Sequence, residues 1–318
     1  MSGDGLQDFL RRTRAVLARP TAGHPWPVPG IDGWLFFRSD LEAAGIAEPS
    51  TDVALERISF AAEQLRSAGI HLLVVPIPCK WAVYPDRLLE DYTVPAERLD
   101  PWLGKTVMLL RQRSVDVLDL TGVMLRARRR GISDLWIPPD SHNSPAGYEL
   151  IADVVVEHLR PRLKSKGVTM TRPGKLVPGT LRWYGDLEFY ADRNESFDTK
   201  LTDPAKWREI DGNFVSEFKP EADAQLVFVG DSNCQPRNQG PVGAWGVGPF
   251  VGAKLGAPVA FIVSKASAGL SMRDLFVDLR RGARDSRRPK IVVWIFASRS
   301  ILLVGGQFPP LPRLDGEP

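Results

Sequence analysis

Ile291-Val292-Val293-Trp294-Ile295-Phe296 is apolar at every position. Three other short runs share that character: His71-Leu72-Leu73-Val74-Val75, Leu226-Val227-Phe228-Val229 and Val259-Ala260-Phe261-Ile262-Val263. Runs of four to six residues are too short for helices, and β-branched residues favour strands. A strand apolar on both sides of its pleat must be covered on both faces, which is the condition of a parallel sheet between helical layers. The intervening stretches supply the helices. Thr51 to Ala68 carries Leu55, Ile58, Ala62 and Leu65 on one face, with Thr51 as the expected cap and Gly69 as terminator. Leu99–Arg113, Leu120–Arg130 and Ala146–Leu163 follow, the last with Pro145 in its first turn. A weak helix is expected within 237–255, and another from Met272 to about Arg284 with Ser271 as cap.

Further strands are expected at Gly33–Phe37, Val115–Asp119 and Asp134–Ile137, for a sheet of about six. The predicted fold is α/β: a flavodoxin-like, three-layer α/β/α sandwich around a parallel sheet. Residues 1–30 read as an N-terminal extension with a short amphipathic segment. Residues 31–300 read as a single domain interrupted by an irregular insertion at about 166–222, whose Arg182-Trp183-Tyr184 and Glu188-Phe189-Tyr190 make it a candidate lining of a substrate groove. Residues 301–318 read as a peripheral tail.

Composition removes several functional classes. Cys79 and Cys234 form neither a disulfide framework nor a metal-binding spacing. His24, His71, His142 and His158 lack the spacing and carboxylate company of a zinc site, so no metal and no cofactor are expected. The formal charge is only +3. Arginines gather at 126, 128, 129 and 130 and at 280, 281, 284, 287 and 288, and a solvated helix face is the simpler account of both groups. No nucleic-acid-binding motif accompanies them, so nucleic acid is not an expected partner. No run of eighteen apolar residues predicts membrane insertion. The arginines at 11, 12 and 14 precede no apolar stretch, unlike a secretion signal. With Met1 as the natural start, that favours the cytoplasm.

The chemistry is expected at the carboxyl ends of strands, where open α/β folds place their ligands. Gly230-Asp231-Ser232-Asn233 follows one strand and Asp140-Ser141-His142 follows another. A nucleophilic serine needs a base, and the base needs a carboxylate to fix its tautomer. Asp140, His142 and Ser232 supply the three roles if the sheet brings them together. Taken alone, Gly-Asp-Ser is more often an ordinary turn, and Asp-x-His is equally well a helix cap. Asn233 and Gly269 are oxyanion-hole candidates. Lys80, just after the strand end at Pro76, is a further site candidate, and Cys234 is expected to line the serine turn as a small buried residue.

Four stretches carry a resemblance. They are Gly33-Trp34-Leu35-Phe36; Val75-Pro76-Ile77-Pro78-Cys79-Lys80 with Val83-Tyr84-Pro85; Asp140-Ser141-His142 with Ser144-Pro145-Ala146-Gly147; and Val229-Gly230-Asp231-Ser232. In this order, over about residues 31–297, the chain resembles the alginate O-acetyltransferase family, the AlgX/AlgJ-like branch of the SGNH-hydrolase superfamily. The resemblance implies an SGNH-hydrolase-like fold, a Ser–His–Asp triad and transfer of acetyl groups to polysaccharide hydroxyls. It also implies a saccharide acceptor, an acetyl donor that a partner protein could present, and a periplasmic or cell-envelope setting. Asn143 stands where the family commonly has Trp, and Arg299 is the polar match to the family's late acidic residue. The expected activity is a serine acyl-enzyme O-acetyltransferase acting on a sugar or polysaccharide. The alternatives are an acetyl esterase with the same triad and a non-catalytic carbohydrate-binding or assembly protein on the same fold.

Overall fold

The structure, a computed structural model, describes residues 3–18, 26–44, 51–94, 98–132, 134–170, 174–191, 207–238, 240–264, 267–282, 288–302 and 308–314. His24, Arg284 and Arg287 lie outside them, as do parts of the 166–222 stretch. In chain order the elements are helix α1 (Gly3–Leu17), strands β1 (Pro27–Pro29) and β2 (Leu35–Phe37), and helices α2 (Arg38–Ala44) and α3 (Asp52–Ser67). Strand β3 (His71–Ile77) leads to the short α4 (Lys80–Val83) and α5 (Pro101–Gln112). Then come β4 (Asp116–Val117), α6 (Thr121–Arg129), α7 (Pro145–Ser165), β5 (Leu176–Trp183), α8 (Asp186–Ala191) and β6 (Arg208–Val215). The chain continues through β7 (Leu226–Gly230), β8 (Arg237–Asn238), β9 (Ala244–Trp245), α9 (Val247–Leu255), β10 (Val259–Val263), α10 (Ala268–Arg280) and β11 (Ile291–Ala297).

Five strands form the parallel sheet, in the order β10-β7-β11-β3-β4. The most apolar run, β11, is its centre. Successive side chains of a strand point to opposite faces, and the chain fills both. Leu73, Val75, Leu226, Phe228, Val293 and Ile295 join one core with α1, α4, α6, α7 and α9. Leu72, Val74, Val227, Val229, Val292 and Trp294 join the other with α3, α5 and α10. This is the expected α/β arrangement with a parallel core sheet.

Two expected strands do not enter that sheet. Leu35–Phe37 pairs antiparallel with Pro27–Pro29 in a separate ribbon. Residues 134–137 make only an isolated bridge, Trp136 to Asn143, because the chain reverses at once through Pro138 and Pro139. The stretch read as irregular contains a regular hairpin: β5 and β6 pair antiparallel over all eight residues, from Leu176↔Val215 to Trp183↔Arg208. Short β9 and β8 extend it to a second, four-stranded sheet, in the order β5-β6-β9-β8. In the 237–255 stretch the α-helix is α9, preceded by a short 3₁₀ turn at Gly240–Val242. Thr51 makes no side-chain cap bond to α3. Helix α10 starts earlier than expected, capped by Ser267, while Ser271 lies inside it and donates its hydroxyl to the Gly230 carbonyl at 2.7 Å.

The two ends of the described chain are packed. Phe9 of α1 stacks on Trp81 with centroids 5.3 Å apart. After β11, Ser298, Ser300 and Ile301 are buried in a short 3₁₀ turn, and Phe308 sits edge-on to Trp294 and Phe296. These residues complete the core rather than forming a peripheral loop. Cys79 and Cys234 are both buried free thiols.

Gly230 closes β7 where β11 passes closest. A Cβ there would stand 1.8 Å from the Ile295 carbonyl oxygen. Gly230→Ala is therefore expected to force the strands apart and to cost at least about 2 kcal/mol, read as a lower urea midpoint with an unchanged slope.

Candidate active site

The carboxyl ends of β3, β7 and β11 are adjacent, and the loops leaving that edge meet there. The β7 turn is braced by its own aspartate. Asp231 Oδ1 accepts from the Asn233 backbone N–H at 2.8 Å and its Nδ2 at 3.1 Å, while Oδ2 accepts from the Ala297 N–H at 2.8 Å. One carboxylate thus fastens the serine turn to the end of the central strand. Ser232, half-buried, projects from this turn.

The opposing loop, residues 137–144, is held from three directions. Ser144 caps α7 by accepting from the Gly147 N–H at 3.0 Å and donates its hydroxyl to the Asp134 carbonyl. Asn143, buried, donates Nδ2 to the Leu135 carbonyl at 3.1 Å. From below, the Lys80 ammonium donates toward four carbonyls: Leu35 at 2.9 Å, Ile137 at 3.0 Å, Pro138 at 2.7 Å and Asp140 at 3.0 Å. It also lies 4.7 Å from the Trp34 ring centroid. Burial draws the Lys80 pKa down to about 7 against the upward pull of Asp140, Asp186 and Asp40.

His142 Nδ1 lies 2.7 Å from Asp140 Oδ1, and Nε2 lies 2.9 Å from Ser232 Oγ. The three side chains are hydrogen-bonded in line although Ser232 is ninety residues from His142 in the chain. With Nδ1–H donated to the carboxylate, Nε2 presents its lone pair to the serine hydroxyl, the order that proton removal requires. Asp140 is fully buried and receives more than the imidazole. Its Oδ1 also accepts from the His142 backbone N–H at 2.8 Å. Its Oδ2 accepts from Trp183 Nε1 at 2.6 Å and the Asp186 N–H at 3.1 Å. Burial alone would raise this carboxyl. The electrostatic pull and hydrogen bond of the His142 imidazole, the Arg237 guanidinium and the Trp183 N–H outweigh that and hold it well below the usual carboxylate range.

The remaining candidates are disposed differently. The Asn233 N–H and carboxamide are committed to Asp231, and the Gly269 N–H to the Ser267 hydroxyl at 3.2 Å. Among the described residues no acceptor takes the Ser232 N–H, so it is the backbone donor of this turn open to an oxyanion. Arg299 pairs with Asp40 at 3.1 Å and lies over the Phe37 ring, its charge spent within the protein. His71 and His158 share Asp116 at the other end of the sheet.

Sequence reasoning marked Trp183 as part of a groove lining without its bond to Asp140 and missed Arg237 and Asp186; all three are contributed by the second sheet or its connections. Arg237 lies against the edge-on pair Trp183 and Trp245, 5.2 and 5.3 Å from their centroids. Their only signal was an aromatic cluster, Trp183-Tyr184, followed by Gly185-Asp186. Asp140, His142 and Asp186 have ligand atoms within 4.8 Å of one another. Their oxygens already accept N–H and O–H bonds, so a metal there would have to displace the Nδ1 proton and break the line to Ser232.

Comparison with known proteins gives the same region a family context. Residues 28–298 match the profile of the SGNH hydrolase-like domain, acetyltransferase AlgX. The chain is 21% identical over 289 residues to the probable alginate O-acetylase AlgJ of Pseudomonas fluorescens, covering 87% of this chain and 68% of that protein. It is 23% identical over 206 residues to the Azotobacter vinelandii protein of the same name, covering 63% of this chain and 50% of that protein. In structure it is similar to the O-acetyltransferase domain of Pseudomonas putida AlgJ, with a TM-score of 0.62 and 22% identity over 90% of this chain and 93% of that one. It is also similar to Pseudomonas aeruginosa AlgX, with a TM-score of 0.60 and 18% identity over 85% and 62% of the respective chains.

The Trp183 donor yields a pH-dependent outcome. A depressed carboxylate stabilises the fold above its unfolded pKa of about 4 and loses that contribution as pH falls through the folded value. In W183F the folded value rises, so acid unfolding followed by circular dichroism should begin at higher pH than in the wild type. At neutral pH the loss of a charge-assisted bond should cost roughly 1.5–3 kcal/mol.

Proposed function

Because the chain belongs to the SGNH hydrolase-like, AlgX acetyltransferase family, we propose that it is an O-acetyltransferase working through an acetyl-serine at Ser232. The observation that carries the reading is the 2.9 Å approach of His142 Nε2 to Ser232 Oγ, continued to Asp140 at 2.7 Å. His142 takes the serine proton as Oγ attacks the carbonyl of an acetyl donor. The Ser232 N–H stabilises the resulting oxyanion, an effect worth about 3 kcal/mol per donor. Collapse of the tetrahedral species expels the donor's leaving group, which takes the proton from His142. A sugar hydroxyl then attacks the acetyl-serine, giving its proton to His142, and the serine is restored.

The acceptor is a saccharide or polysaccharide hydroxyl on this reading, and the donor is presented by a small ester or a partner protein. The names of the AlgJ relatives, probable alginate O-acetylases, support a polysaccharide as the acceptor. No described helix is long and apolar enough to cross a membrane. Hydrolysis needs the same acetyl-serine and differs only in which hydroxyl attacks, so acceptor dependence decides between transferase and esterase.

Intact mass after exposure to p-nitrophenyl acetate should show one added acetyl group on the wild type and none on Ser232→Ala. Turnover should fall by roughly 10⁵–10⁶-fold in that variant. Adding an oligosaccharide should yield acetylated sugar at the expense of acetate. Acetate release without acetylated sugar would make the protein an esterase, and glycan binding by a wild type that never labels would make it a binding protein.

A further inference from the structure

A second carboxylate faces the same imidazole. Asp186 Oδ2 lies 3.4 Å from His142 Nδ1, on the ring nitrogen that Asp140 already contacts. Asp186 is tied to the base's own loop: Oδ1 accepts the Ser141 N–H at 2.7 Å and Oδ2 accepts the Ser141 hydroxyl at 2.6 Å. Its backbone N–H in turn donates to Asp140 Oδ2 at 3.1 Å. The preceding residue fixes this proximity. A Cβ at Gly185 would stand 2.0 Å from the Pro139 carbonyl oxygen, so the Trp183–Asp186 segment lies directly on the loop that carries Asp140 and His142. Donors and acceptors run in both directions across this contact, and the two carboxylates end on one nitrogen.

We propose that Asp186 is a positioning residue that also supplies a second counter-charge to His142, so that its ionisation sets how strongly the imidazole binds the serine proton. The inference rests on the acetyl-serine reading and deepens it. In the step concerned, the Ser232 Oγ–H bond breaks and an Nε2–H bond forms. The electron pair left on Oγ goes to the carbonyl carbon, and the Nδ1 proton stays on Nδ1, donated to Asp140. The ring then carries one positive charge. Asp140 is negative throughout, whereas Asp186 changes state in the working range: burial first, and the neighbouring Asp140 charge second, push it up to about 6. Above that pH two negative groups face the imidazolium, and below it only one does.

Other charged groups around the pair are Lys80 of α4 beneath the loop and Arg237 of β8 beside Asp140. Glu188 of α8 pairs with Arg208 of β6 at 3.7 Å. All of them remain in a variant at 186. Two interacting groups that both titrate give coupled steps, so the profile of the base should carry two inflections rather than one.

Asp186→Asn keeps the size and an acceptor for Ser141 but removes the charge, and Asp186→Glu restores it. Two measurements are made on the full chain: the rate of Ser232 labelling by a fluorophosphonate from pH 4.5 to 9, and the imidazole titration of His142 by NMR. In D186N the acid limb of labelling should move about one unit lower, because the base loses a counter-charge, and the plateau should drop about tenfold. The NMR pKa of His142 should fall in parallel, and D186E should recover most of both. A slower D186N with an unmoved acid limb and unmoved His142 titration would make Asp186 a mere tether for Ser141 and overturn the inference. The NMR arm does not depend on acyl chemistry. A folded wild type that never labels at Ser232, with the titration still shifted by D186N, would sink the acetyl-serine reading and leave the counter-charge standing.

Discussion

A carboxylate without solvent must be surrounded by donors, and Asp140 meets that demand with groups from three parts of the chain. Its own loop provides the His142 N–H and Nδ1. The end of β5 provides the Trp183 indole, and the start of α8 a backbone N–H. Removing such a charge from water is costly unless every lone pair is occupied. The second sheet is therefore part of the site, since the hairpin's end completes the solvation of a charge that sits on the first sheet's edge.

The loop carrying Asp140 belongs to no strand of the parallel sheet, and the buried ammonium of Lys80 adds to the turn bonds that hold it. Four carbonyls converge on one cation, and for two of them, Leu35 and Asp140, it is the donor that the structure shows. On the other side of the site, Asp231 does the equivalent work for amides, binding the serine turn to the end of β11. A charged side chain thus stands beneath each of the two loops that face each other across the His142–Ser232 contact. Lys80 follows β3 and Asp231 follows β7, the strands on either side of β11, so the separation of Nε2 and Oγ is referred to the sheet through these two side chains.

The parallel core was legible because β3, β7, β10 and β11 are apolar at nearly every position, a pattern that admits few alternatives. The placement of Asp140, His142 and Ser232 was legible for a related reason: each follows a strand-like run and a turn signal. The β5–β6 hairpin was not. Its burial alternates only weakly, and Pro178, Gly179 and Gly212 blur the period, so regular pairing leaves little trace in the sequence. Asp186 was hidden with it, since nothing local marks a carboxylate that reaches a loop 45 residues away. Lys80 and Arg299 were visible as cations near strand ends, but their partners are backbone carbonyls in one case and Asp40 in the other. Hydropathy and spacing carry no record of either partner.

The two cysteines extend this to the redox behaviour of the chain. Burial raises both thiols well above their ordinary range, with Asp40 adding to the effect at Cys79 and Asp231 at Cys234. Thiolate is the form that attacks disulfides and reacts with oxidants, and the native packing suppresses it at both positions. In the folded protein both thiols are therefore held buried and protonated. Only the unfolded chain exposes a pair of ordinary, reactive thiols, so the hazard of a wrong cross-link belongs to the moments before β3 and β7 are covered.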